Sequence, residues 1–174
     1  RPWAQHPLVE LVSGEVLDLE SFKKASMGCW AAYYLIPRMV SHKKNFTEAD
    51  QKAAGNMVAA AAEAGFERII YLGGLERGKD AHLMPGHEVA EILQSGPVPT
   101  TFLRTAMILG SGSASFEILR YLVDRLPVML TPRWVNTPCR PVAIRNVLNY
   151  LTGCLERHET IGKTFDVAGP EELT

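Results

Sequence analysis

The feature that most restricts this chain is an end-to-end alternation of short apolar runs, rich in β-branched and aromatic residues, with longer segments of helical period. Parallel strands need a crossover connection and a helix supplies one, so this order predicts βα units feeding a parallel sheet. A sandwich or a helical bundle would not produce it. With 174 residues, the chain has the size of one domain and can bury roughly 70% of its unfolded surface.

Leu8-Val9-Glu10-Leu11-Val12 is the first expected strand. Asp18 is an N-cap for a short helix over 19–25, and Trp30 to Ile36 forms a second strand whose near-continuous apolarity predicts burial on both faces. Thr47 and Asp50 have the spacing of a capping box, opening a helix to about Ala64 with Ala54, Met57, Val58 and Ala61 inside and Gly65 as its stop. Arg68 to Leu72 is a third strand that ends in Gly73-Gly74. After a polar loop comes a helix with Val89, Ile92 and Leu93 inside, stopped by Ser95-Gly96-Pro97. Thr100 to Leu109 reads as a strand interrupted near Arg104, followed by an amphipathic helix carrying Leu119, Leu122, Val123 and Leu126. A short strand over 128–131, a Pro- and Arg-rich loop over 132–141, and a helix striped by Ile144, Val147, Leu148, Leu151 and Leu155 lead to a final strand over 164–168.

Eighteen Lys and Arg against nineteen Asp and Glu give a net charge of -1, with no block of like charge. That argues against nucleic acid or an anionic membrane as a principal partner. No apolar run reaches the roughly 20 residues of a membrane span. Cys29, Cys139 and Cys154 are odd in number and widely spaced, which fits neither a disulfide framework nor a zinc site and suits a reducing cytoplasm. His87-Glu88-x-x-Glu91 echoes the zinc-protease helix but lacks its second His, so no metal is expected.

The order Gly14-Glu15-Val16-Leu17-Asp18, then Tyr71-Leu72-Gly73-Gly74-Leu75, then Phe165-Asp166-Val167-Ala168-Gly169-Pro170 resembles the atypical short-chain dehydrogenase/reductase-like proteins. That group includes NmrA-like and complex I accessory-subunit-like members, and the stretch 110–134 resembles a bacterial branch of it. The resemblance spans nearly the whole chain. It implies a Rossmann-like, doubly wound parallel sheet, one NAD(P)-binding domain over 1–174, and NAD or NADP as cofactor beside an unknown small molecule. Members open with a strand, a Gly-x-x-Gly-x-x-Gly turn and a helix, the turn offering backbone N–H groups to the pyrophosphate. By this resemblance Arg1 falls just after the second strand, so the first strand, first helix and second strand are expected to be lacking, and the C-terminus to be cut short.

The resemblance places Glu15 where members carry an Asp that accepts from the adenine amino group, with Val16 against the adenine face. Leu35, Ile36 and Pro37 close the second strand and Leu72, Gly73 and Gly74 the third, and ligands of open parallel sheets bind beyond such ends. Arg104 matches an arginine near the nicotinamide side; a charge in an apolar strand also needs a partner, so a structural ion pair is the other reading. The usual catalytic serine position falls on Gly73 or Gly74, the tyrosine on Leu83 and the lysine on His87. His87, oriented by Glu91 one turn on, is the candidate proton donor, or else one half of a surface pair. Gly110-x-Gly112-x-x-Ser115 is either a substitute phosphate loop or a turn, and Arg133, Trp134, Arg140 and Arg145 either an anion pocket or solvated charges.

The function implied is that of an NAD(P)-binding oxidoreductase-like protein, with a non-catalytic dinucleotide sensor or assembly module as the alternative. Hydride transfer needs the cofactor and geometry alone, so a substrate requiring no proton donor suits the missing tyrosine and lysine. A sheet without its first strand leaves a parallel edge open, which invites pairing with another chain, including a second copy.

Overall fold

A computed structural model describes residues 2–36, 46–75, 85–110, 114–125 and 138–173. Its centre is a four-stranded, wholly parallel sheet in the order β1 (Ala31–Tyr34), β2 (Arg68–Gly74), β3 (Thr100–Thr105), β6 (Thr164–Val167). Helices α2 (Phe46–Ala64) and α3 (Pro85–Ser95) supply the crossovers between β1, β2 and β3. Strands β4 (Ile108–Leu109) and β5 (Val142–Ala143) form a separate parallel pair that leads into α5 (Ile144–Glu156).

Alternate residues of a strand face opposite sides, and both sides of this sheet are apolar. Ile69, Tyr71 and Phe102 pack on Ala54, Met57 and Ala61 of α2 and on Val89, Ala90 and Leu93 of α3. Ile70, Leu103 and Val167 pack on Val147, Leu151 and Cys154 of α5. Helices on both faces make the doubly wound arrangement expected from the strand–helix alternation.

The helix signals at Asp18 and Gly65 hold, and the one at Thr47 does not. Asp18 caps α1 (Leu19–Ser26), its carboxylate accepting from the Glu20 amide at 3.1 Å. Gly65 ends α2 at φ 70°. Its amide and that of Phe66 donate to Ala62 O and Ala61 O, the paired bonds of a left-handed glycine cap. Phe46 starts α2 one residue before Thr47, so Thr47 lies inside the first turn rather than ahead of it.

Five expectations are corrected. The run Leu8–Val12 forms no strand and its residues are exposed, because no described strand lies beside it to take its hydrogen bonds. The strand expected over 30–36 is confined to Ala31–Tyr34 and is not buried on both faces, since β1 is the outermost strand of the sheet. The strand over 100–109 breaks at Ala106–Met107 and not at Arg104, which pairs with Gly73 on one side and Asp166 on the other. The apolar stripe of α4 (Ala114–Arg125) is not an inner face: Leu122 and Val123 are exposed. On α5, Ile144 and Leu148 are likewise exposed, while Val147 and Leu151 are buried. Gly112, Leu126, the strand expected over 128–131, Arg133 and Trp134 lie outside the described residues.

Candidate functional site at the carboxyl ends of the strands

All four strands run the same way, so their carboxyl ends share one edge. Leu35 and Ile36 follow β1, Leu72, Gly73 and Gly74 finish β2, Thr105 finishes β3, and Ala168-Gly169 follows β6. Hydrogen bonds tie these ends together: Leu75 N donates to Thr105 O at 2.7 Å, Thr105 Oγ1 to Gly73 O at 3.1 Å, and Ala106 N to Val167 O at 3.2 Å.

The two glycines of β2 differ in their surroundings. A Cβ on Gly73 would lie 2.8 Å from Phe102 and 3.0 Å from the Tyr71 ring, so the rings own that space. These rings stack at 4.7 Å, and Tyr34 meets Tyr71 edge-on at 5.7 Å, giving the edge a rigid aromatic floor. Among the described residues, a Cβ on Gly74 would meet nothing within 4 Å. Burial pushes the Tyr34 phenol well above its ordinary range, with Tyr71 and Asp50 adding to the shift, so Tyr34 remains neutral across physiological pH.

Arg104 lies in register with Gly73 and Asp166, on the face covered by α3. Its Nε donates to Asp166 Oδ1 at 2.6 Å, and both side chains are about half exposed. The partner demanded by a charge in an apolar strand is therefore Asp166. Sequence reasoning anticipated the need without identifying the residue. The signal was a second charge inside the apolar run Phe165-Asp166-Val167, and only the β3–β6 register makes the two neighbours.

His87 stands in the first turn of α3, its Nδ1 3.3 Å from Glu91 Oε1. The approach lacks hydrogen-bond geometry, and Nδ1 is buried with no other partner among the described residues. Gln51 Nε2 donates to Glu88 Oε2 at 2.9 Å and ties α2 to the start of α3. Glu15 sits in a turn closed by Asp18 N to Glu15 O, its carboxylate accepting from Leu17 N at 3.2 Å. Asn56 of α2 donates to Val16 O at 2.9 Å. Glu15 and Val16 are thus anchored to α1 and α2, whereas Leu35, Ile36, Gly73, Gly74 and Arg104 are carried on the sheet. Pro37 and Leu83 lie outside the described residues, and Arg140 is paired with Glu172.

A cleft of about 470 Å³ lies at the opposite, amino edge, lined by Trp30, Glu67, Arg68, Leu155, Glu156 and His158. It belongs to a structural joint. Arg68 is 2% exposed and donates through Nη1 to Cys154 O and Leu155 O, and more weakly to Arg157 O, which satisfies the last carbonyls of α5.

A parallel sheet with helices on both faces and the carboxyl ends of its strands on one edge is a Rossmann-like fold. Solved structures with this fold include a short-chain dehydrogenase/reductase superfamily protein, a nucleoside-diphosphate-sugar epimerase, a dTDP-glucose 4,6-dehydratase and a triphenylmethane reductase. A dTDP-glucose 4,6-dehydratase of Streptomyces venezuelae with NAD bound is 15% identical at a TM-score of 0.79, over 99% of this chain and 62% of its own. A short-chain dehydrogenase/reductase superfamily protein of Agrobacterium tumefaciens with bound NAD is 15% identical at 0.71, over 99% and 69%. The triphenylmethane reductase of Citrobacter sp., complexed with NADP(H), is 20% identical at 0.73, over 95% and 56%. The chain therefore spans about three fifths of the length of such structures. No protein-family model and no curated protein matches the sequence. No described helix is long and apolar enough to cross a membrane.

Proposed function

We propose that the protein is an NAD(P)-binding, oxidoreductase-like protein of the atypical short-chain dehydrogenase group that holds its dinucleotide across the carboxyl edge of the sheet. The observation that carries this reading is the end of β2, where Gly73 lies close over the Tyr71–Phe102 pair on one face of the sheet and Gly74, whose Cβ would meet nothing within 4 Å among the described residues, faces the other. Leu35, Ile36, Leu72 and Gly73 complete the strand ends, with Arg104 beside them held by Asp166. Glu15 and Val16 serve the adenine end in this reading. No Gly-x-x-Gly-x-x-Gly turn occurs within residues 1–174, so the pyrophosphate is assigned to no residue here.

The dinucleotide, when bound, supplies a hydride. In this reading the chain's part is to orient it and to exclude water, and His87, its Nδ1 3.3 Å from Glu91 Oε1, holds or gives a proton at Nε2. A non-catalytic dinucleotide sensor is the second reading, favoured by Leu83 and His87 standing where the resemblance expects Tyr and Lys.

Calorimetric titration with NADH and with NADPH tests the first reading. Binding that is lost on Gly74→Val, with unfolding unchanged, supports it, and absence of binding by either nucleotide overturns it. Turnover across a panel of carbonyl and quinone acceptors separates enzyme from sensor. A His87→Ala variant with undiminished turnover removes His87 as the proton donor.

A further inference from the structure

Two glycines in succession end β2, and glycine loses more backbone freedom on ordering than any other residue. A strand end of this composition frays unless something outside it fixes the backbone. Gly73 and Gly74 have no side chains to pack, so what holds them must come from a neighbour.

Thr105, the last residue of β3, holds them from both directions. Its Oγ1 donates to Gly73 O at 3.1 Å, and its carbonyl oxygen accepts from Leu75 N at 2.7 Å. Gly74, the register partner of Thr105, is therefore tied through one residue at the carbonyl before it and at the amide after it. The second bond is made by backbone and would survive any substitution. The first needs a hydroxyl.

That hydroxyl is itself closely placed. Thr105 is 6% exposed, and its χ1 is restricted by branching at Cβ. On its far side it is in register with Val167 of β6, and Ala106 N donates to Val167 O. Strand alternation puts Thr105 on the face of Leu103, which packs with Val147 and Leu151 of α5. The other threonines of β3 bond elsewhere: Thr100 Oγ1 donates to Leu93 O of α3 at 2.9 Å and Thr101 Oγ1 to Thr160 O at 2.8 Å. Those two fix the amino end of the strand to its surroundings, and Thr105 alone of the three serves the carboxyl edge.

We propose that Thr105 is a positioning residue for the dinucleotide, its hydroxyl holding the Gly73-Gly74 end of β2 in the conformation on which the ligand rests. The inference rests on the dinucleotide reading given above and adds the residue that sets the affinity of the strand end.

Three variants of the full chain test it. Thr105→Val keeps the branching and loses the hydroxyl, Thr105→Ser does the reverse, and Thr101→Val removes a comparable bond at the opposite edge. In calorimetric titrations with NADH and NADPH, Thr105→Val should weaken binding by roughly fivefold or more, and Thr105→Ser should stay within about twofold of the parent. Thr101→Val should lower the urea midpoint and leave the affinity unchanged. Exchange of the Leu75 amide, which needs no nucleotide, should be faster in Thr105→Val by roughly fivefold or more and restored in Thr105→Ser. Thr105→Ala, which also lacks the hydroxyl, carries the same expectation if Thr105→Val does not fold. A residue that only stabilises the fold would lower the midpoint and leave the Kd of the folded protein as it was; that result, or unchanged Leu75 exchange, overturns the positioning role while the dinucleotide reading stands. A parent that binds neither nucleotide overturns both.

Discussion

Arg68 shows how one side chain can be fixed by several weak demands. It is in the first position of β2, where a cation would be expected to reach solvent, yet it is 2% exposed. Its guanidinium satisfies the C-terminal carbonyls of α5, approaches His158 Nδ1 at 3.4 Å and lies 5.8 Å from the centroid of Trp30. A cation is favoured at a helix C-terminus by the dipole as well as by the unpaired oxygens. Arg68→Ala should therefore cost about 2–3 kcal/mol, read as a lowered urea midpoint, and should change Trp30 fluorescence. Arg104 is the contrasting case. Its bond to Asp166 is short, but both partners are half exposed, and exposed pairs contribute roughly 0–1 kcal/mol. Asp166→Asn should leave the midpoint nearly unchanged while altering dinucleotide affinity, if Arg104 lies beside the ligand.

At the scale of elements, what could be read from the sequence was what local forces decide. Asp18, Gly65 and the stripe of α2 act within a few residues of themselves, and α1, α2 and α3 formed close to where those signals put them. Gly65→Ala should cost about 1–2 kcal/mol, because φ 70° places a Cβ against the following carbonyl; thermal unfolding checks it. Strands depend on partners that composition cannot supply. Leu8–Val12 has the right residues and no neighbour, Trp30–Ile36 lost both its ends at the sheet's edge, and Ala106–Met107 rather than Arg104 broke the third run. The candidate site divides in the same way. Gly73-Gly74 was visible as a strand end, but the Tyr71 and Phe102 rings closing over Gly73 and the choice of Asp166 for Arg104 required the register.

Across the whole molecule, the two layers that flank the sheet share a vulnerability to alkali. In the α2–α3 layer, burial raises the Tyr34 phenol, and Tyr71 and Asp50 raise it further. In the α5 layer, burial raises Cys154 against the partial relief of its bond with Thr160, and burial also raises Tyr33. Each group is a neutral acid whose folded value lies above its unfolded one. Its contribution is therefore complete below the unfolded value and disappears as pH climbs through the folded value. The ordinary values are 9.0 for the thiol and 10.0 for the phenols, so stability should be insensitive to these groups at neutral pH and should fall above them, the α5 layer yielding first. Urea titrations at stepped alkaline pH, followed by tyrosinate absorbance, measure the slope. Cys154→Ala should flatten its onset and Tyr34→Phe its upper part. A slope unchanged in both variants would mean that the layers open before either group ionises.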